Sequence, residues 1–176
     1  VETKLGSKAI PLQVPIGEEE RFKGVVDLIT GKAMVWNEDD MGMTFVEIPV
    51  PADLVEIVAE WRGKLLEAVA EYDDTLLEKF FEDPESISPD EMRVAIRQAV
   101  CDMKFVPMMC GSAFKNKGVQ AVLDAVCAFL PSPVDIEGIK GINPKTDKEE
   151  LRKPSVDEPF AALAFKIATD PYVGHS

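Results

Sequence analysis

Short apolar runs and turn residues alternate through the first third of the chain. Pro11 to Ile16, Phe22 to Ile29, Lys32 to Trp36 and Thr44 to Ile48 carry β-branched and aromatic residues, which predicts strands. Ile16-Gly17, Thr30-Gly31 and the acidic Asn37-Glu38-Asp39-Asp40 stretch before Gly42 separate them. Such residues suit tight connections between antiparallel neighbours, so a small meander is expected.

The pattern then changes to a helical one. From Pro51-Ala52-Asp53, the residues Leu54, Val58, Trp61, Leu65, Val69 and Tyr72 recur at spacings of three and four, the mark of one buried helix face. Asp73-Asp74 either continues this helix or caps a second one through Phe81. Ser88-Pro89-Asp90-Glu91 has the form of a capping box with proline at the first helical position, predicting a further helix to about Asp102. Phe105 to Cys110 is a continuous apolar run ending at Gly111, as in a strand buried on both faces of a parallel sheet. Val119, Val122, Leu123, Val126, Phe129 and Leu130 follow at helical spacing, so strand, loop and helix form half of a βαβ unit. Pro131-Ser132-Pro133 stops that helix. The stretch from Gly138 to Pro154, rich in Gly, Pro and charge, reads as a linker, and Phe160 to Ala168 reads as a new strand.

Composition narrows the functions. The chain has 176 residues, with 32 acidic and 19 basic side chains and a formal charge of −13. That charge repels phosphate backbones and anionic lipid, which disfavours direct nucleic-acid binding and makes a basic protein surface the natural partner. Cys101, Cys110 and Cys127 lie in apolar runs without metal-ligand spacing and read as reduced core residues; with a single histidine, His175, no metal site is expected. The chain has no basic-then-apolar leader and no apolar run of about 18 residues, so neither a signal peptide nor a membrane span is expected and the compartment reads as cytosol. The start at Val1 and the abrupt end inside an expected strand suggest a piece of something longer.

The loop from Cys110 to Val119 lies where ligand loops belong, between a parallel strand's C-terminal end and a helix. A small Gly-Ser-Ala turn lets backbone N–H groups approach a flat ring, and one such donor can recognise the carbonyl that distinguishes guanine from adenine. A bare turn of this composition is also a common structural connection.

The run Gly111-Ser112-Ala113-Phe114-Lys115-Asn116-Lys117-Gly118-Val119-Gln120 resembles the last guanine-binding loop of the elongation factor G family of translation GTPases. Leu12 to Gly17, Phe22 to Leu28, Leu130 to Pro133 and Phe165 to Pro171 resemble that family in the same order, and only His175-Ser176 departs from it. The resemblance implies an α/β fold: an α+β insert with an antiparallel meander and helices, joined to the last strand and helix of a P-loop GTPase domain. It divides the chain into the insert with its leading strand (1–104), the GTPase strand, guanine loop and helix (105–134), a linker (135–157) and the first strand of a truncated β-barrel domain (158–176). It implies that Ser112 and Ala113 contact the base, with Phe114 and Lys115 in the same loop. The parent would bind GTP or GDP with Mg and couple hydrolysis to ribosomal translocation, whereas no cofactor is expected for this piece.

The hydrolytic parts are missing from the sequence. No phosphate loop is present, because Thr30-Gly31-Lys32 is followed by Ala33, and Asn116-Lys117 leads to Gly118-Val119 and not to an aspartate. Asp39-Asp40-Met41-Gly42 has the spacing of a magnesium-side loop but lies in an acidic turn and is read as solvated. Asp53, Glu56, Glu60, Glu67 and Glu71 fall within roughly 60° of helix circumference and form one acidic stripe. The resemblance implies that this stripe, centred on Glu56, Glu60 and Glu67, docks the C-terminal domain of the ribosomal stalk protein; the other partners implied are the ribosome and the remainder of the GTPase. Two other readings stay open: a stand-alone acidic binding module without a nucleotide role, and a relative among the ribosomal protection or release factors.

Overall fold

At Leu12 the chain passes from one sheet into another. Before it, β1 (Ala9–Pro11) pairs in parallel with β6 (Val106–Met108), Ala9 opposite Val106. After it, β2 (Gln13–Ile16) opens an antiparallel meander with β3 (Gly24–Asp27), β4 (Ala33–Trp36) and β5 (Phe45–Ile48), in that order across the sheet. The Leu12 amide donates to the Met108 carbonyl at 2.9 Å, and its own carbonyl accepts from Leu28 N at 3.0 Å. One expected strand, Pro11 to Ile16, therefore serves two sheets. Ile10, Leu12 and Val14 are all buried, as the two-residue period of extended chain requires when one face meets a core.

These are features of a computed structural model that describes residues 8–162, Lys166, Thr169–Asp170 and Gly174–His175. The chain divides into two units, Val1–Leu130 and Pro131–Ser176.

Four α-helices accompany these strands in the first unit. A 3-10 turn at Ala52–Leu54 leads into α1 (Val55–Ala70), and Asp73 caps α2 (Asp74–Glu82) by accepting from the Thr75 and Leu76 amides at 2.9 and 3.1 Å. The open choice at Asp73-Asp74 is thus resolved as a second helix. The capping box of α3 (Pro89–Cys101) is present: Glu91 N donates to Ser88 Oγ at 3.3 Å and Ser88 N to Glu91 Oε2 at 2.9 Å. After the β6 loop comes α4 (Val119–Phe129). Leu65, Leu66 and Val69 of α1 and Met92, Ile96 and Ala99 of α3 close over Val26, Leu28, Phe105 and Phe129. Each large side chain fully buried there contributes about 1.5–3 kcal/mol of transfer free energy. Arg62 anchors α1 to the end of β3, donating to the Ile29 carbonyl at 2.8 Å.

Four expectations need correction. β6 is parallel to its neighbour but not buried on both faces: Val106 is exposed, Pro107 and Met108 are half-buried, and α4 presents Val122, Leu123 and Val126 to solvent. The cysteines are free, yet Cys101 and Cys127 are exposed and Cys110 half-buried, because the apolar runs holding them face outward at those positions. The stretch expected as a linker contains an antiparallel hairpin of β7 (Ile139–Asn143) and β8 (Lys148–Arg152), whose turn is tied by Lys145 N to Asn143 Oδ1 at 2.9 Å. Of the strand expected over Phe160 to Ala168, residues 160–162 are not in a strand, and most of the rest lies outside the described residues. The second unit also pairs β9 (Thr169–Asp170) with β10 (Gly174–His175) antiparallel.

Candidate guanine loop and acidic helix face

The loop after β6 is short because it closes on itself. Ser112 and Lys117 form an antiparallel bridge, Ser112 N donating to Lys117 O at 2.8 Å and Lys117 N to Ser112 O at 3.0 Å. Within it, Lys115 N also donates to Ser112 O and Asn116 N to Ala113 O, each at 3.1 Å. Gly118 then starts α4 in the left-handed region, φ 86°, where a side chain would be strained. Space is tight there as well, since a Cβ on Gly118 would stand 3.0 Å from the Cys110 carbonyl oxygen.

This arrangement leaves two adjacent donors over at the tip. Among the described residues the amides of Ala113 and Phe114 donate to no protein acceptor. Both residues are exposed, as is Lys115, while Ser112 is half-buried. The Phe114 ring is wholly in solvent. All four candidate residues therefore sit together on one tip at the C-terminal end of a parallel strand, with the Ala113 and Phe114 N–H groups among those that the loop's own bonds leave over. Such a tip can donate to a planar acceptor and present an apolar ring beside it.

Lys117 and Gln120 are not singled out by the sequence pattern, but the structure gives them the most connected positions of the loop. Lys117 is 2% exposed, and its Nζ donates to the Phe22 carbonyl at 3.1 Å and to Glu38 Oε1 at 2.6 Å. The Lys117 hydrogen bond holds the Glu38 carboxyl below the usual carboxylate range. Gln120 accepts from Trp36 Nε1 at 3.2 Å and donates to the Gly42 carbonyl at 3.0 Å. Beside the loop, burial pushes the Cys110 thiol up.

The acidic stripe is where the helical period puts it. Asp53, Glu56, Glu60, Glu67 and Glu71 are all exposed. Glu60 pairs with Lys64 at 2.5 Å, and the Lys64 ammonium stands 4.4 Å from the Trp61 ring centroid. Glu71 pairs with Lys8 at 2.6 Å; that hydrogen bond outweighs burial and raises the Lys8 pKa. Part of the stripe's repulsion is thus relieved internally, leaving Asp53, Glu56 and Glu67 as its open charges. No three His, Cys, Asp or Glu side chains among the described residues come together to hold a metal ion, and no helix there is long and apolar enough to cross a membrane.

A parallel strand pair, a self-closed loop with free amides and a following helix stand beside an antiparallel meander and three further helices, a mixed α/β architecture. Comparison with known proteins gives the family. No family model matches the chain. Elongation factor G of Amoebophilus asiaticus (strain 5a2) is 60% identical over 174 residues, and that of Cytophaga hutchinsonii is 64% identical over 174 residues, each match covering 99% of this chain. A crystal structure of a protein from Thermus thermophilus superposes over 99% of the chain with a TM-score of 0.69 and 25% identity, covering 23% of that protein. The chain belongs to the elongation factor G family, and it spans 24% and 25% of the length of the two relatives.

Proposed function

We propose that this chain forms the base-side rim of the guanine-nucleotide pocket in a ribosomal translocation GTPase, with no hydrolytic machinery of its own. The Ala113 amide donates to the guanine carbonyl, Ser112 and Phe114 flank the ring, and Lys115 lies at the rim. The observation that carries this reading is the pair of unused, exposed amides at Ala113 and Phe114, adjacent at the tip of a loop that closes on itself through the Ser112–Lys117 bridge. A carbonyl acceptor satisfies such a donor, whereas the exocyclic amine of adenine does not. The elongation factor G identity of the relatives supports it further.

On the same reading, residues 1–104 are the insert with its leading strand, 105–134 the end of the GTPase domain, and 158–176 the start of a following barrel. The exposed Val106, Val122, Leu123 and Val126 are then the face on which the rest of the parallel sheet packs, since parallel strands are ordinarily covered on both faces. Mg and the nucleotide phosphates would be held by that remainder, which supplies the charge stabilisation of phosphoryl transfer. The protein works in the cytoplasm on the ribosome. In the full-length protein carrying this sequence, Ala113→Leu should weaken GDP binding and reduce its preference over ADP. Unchanged GDP affinity in that variant leaves the stand-alone binding-module reading in its place.

A second role is favoured by the exposure of the stripe. Glu56, Glu60 and Glu67 form the centre of a docking surface for a basic face of the C-terminal domain of the ribosomal stalk protein, steering encounter more than holding the complex. Titration of labelled stalk domain at low salt should show contact that weakens as salt rises; no shift at low salt rules the role out.

A further inference from the structure

We propose that the β4–β5 turn of the inserted meander, residues 37–43, is the positioning device for the guanine loop, with Lys117, Gln120 and Gly42 as the positioning residues. The proposal rests on the reading of Ala113 as the base contact and adds what sets its position.

The turn is itself stiff. Asn37 N donates to Thr44 O and Gly42 N to Asn37 O, each at 3.0 Å, while the Asp40 carboxylate accepts from Met43 N at 3.1 Å and Thr44 N at 3.0 Å. These bonds give the Asp40 carboxylate a bracing role inside the turn. Met41 and Gly42 both have positive φ, 55° and 73°, so the chain reverses sharply and presents the Gly42 carbonyl outward.

Three contacts then tie the loop to this turn. Gln120 is used at both ends of its amide: the oxygen takes the Trp36 indole N–H, and the nitrogen gives to the Gly42 and Met43 carbonyls at 3.0 and 3.3 Å. Reversing the amide would set donor against donor, so only one orientation is tolerated. Asn116 Nδ2 donates to the same Gly42 carbonyl at 3.4 Å. Lys117 reaches Glu38 in the turn and Phe22 before β3, burying its ammonium where removal of either partner leaves a charge short of compensation. Gly42 sets the approach distance, because a Cβ there would stand 2.7 Å from the Lys115 carbonyl oxygen and 2.8 Å from that of Asn116.

The link to the base runs through one residue. The Lys117 backbone forms both bonds of the bridge with Ser112, and its side chain is the buried anchor. Fixing Lys117 therefore fixes Ser112, and Ser112 is the neighbour of the Ala113 amide. A donor held in place this way discriminates by direction and distance, which a merely tethered loop does not.

The test uses the full-length protein and two ligands, GDP and its aminopurine analogue that keeps the ring amine but lacks the ring carbonyl. Losing the carbonyl also turns the neighbouring ring N–H into an acceptor, so the ratio is read in each variant against the wild type, where only the loop differs. Gln120→Ala, Gly42→Ala and the milder, surface-exposed Glu38→Gln should each lower GDP affinity, Gln120→Ala by about tenfold, as expected for one misplaced hydrogen bond. Analogue affinity should hold steady, so the ratio collapses towards that of Ala113→Leu. Equal losses for both ligands, or an unchanged ratio, overturn the positioning role when Ala113→Leu does lower the ratio. If Ala113→Leu leaves the ratio intact, the base contact itself is wrong and the positioning role falls with it.

Discussion

The Arg97 guanidinium donates to the Ala128 carbonyl at 2.9 Å, so a side chain of α3 closes the C-terminal end of α4. A second bond, to the Leu130 carbonyl at 3.2 Å, extends the closure past the last helical residue. Helix ends leave carbonyls without intrahelical donors, and a cation there also answers the helix dipole. Arg97→Ala should destabilise the first unit by about 1.5–3 kcal/mol, the range for losing hydrogen bonds to a charged group. Urea unfolding followed by helix ellipticity reads this, with Arg97→Lys recovering part of the loss.

Gly118 starts α4 in a conformation that strains a side chain and a space that crowds one. Gly118→Ala should cost more than about 1 kcal/mol, the upper end of compatible glycine replacements with the sign reversed. The loss should be accompanied by faster amide exchange at Ser112 and Lys117, whose bridge abuts the same turn.

Glu91 is a strongly perturbed carboxyl: hydrogen bonds from the Lys79 ammonium and from Ser88 bring its pKa from 4.5 to about 2. A carboxyl depressed in the folded state binds its proton more readily when unfolded, so it stabilises the fold above the unfolded pKa. That contribution is present in full above pH 4.5 and is lost as pH falls towards 2. Unfolding free energy of the wild-type chain should therefore drop relative to Glu91→Gln across this window, and the two slopes should be parallel above it. Equal slopes throughout would show that the capping box is not carried by the charge.

Charges on the α1 stripe should act on rate before affinity. Replacing Glu56, Glu60 and Glu67 together by glutamine should slow association with the stalk domain through its basic face several-fold at low salt, with a smaller change in dissociation, because exposed charges steer and are screened. Stopped-flow measurement at two ionic strengths separates these effects. The fold should be unaffected, since all three side chains are exposed.

The elements legible from sequence are those set by local chemistry. The capping box at Ser88 and the three-and-four spacing through Leu65 and Val69 each act within a few residues, and both elements form where that pattern places them. The candidate loop's position, between an apolar run ending at Gly111 and the helix after Gly118, is visible in the same way. What tethers it is not. Lys117 finds its partners 79 and 95 residues away, and no window of sequence tells a buried lysine from a solvated one. The hairpin of β7 and β8 escapes for the opposite reason: Ile139 and Ile142 are exposed, so its strands carry no one-sided alternation against a core. Cys101 and Cys127 show that an apolar run near a helix end can still turn single positions to solvent.

The central claim is that the Ala113 amide, unused within the protein, is the donor that reads guanine. Its most direct test is the amide proton of Ala113 itself, followed by selective alanine isotope labelling of the full-length protein. Saturating GDP should move that resonance downfield and protect it from exchange, and the analogue without the ring carbonyl should do neither. An Ala113 amide that stays unshifted and exchangeable at full GDP occupancy would contradict the account.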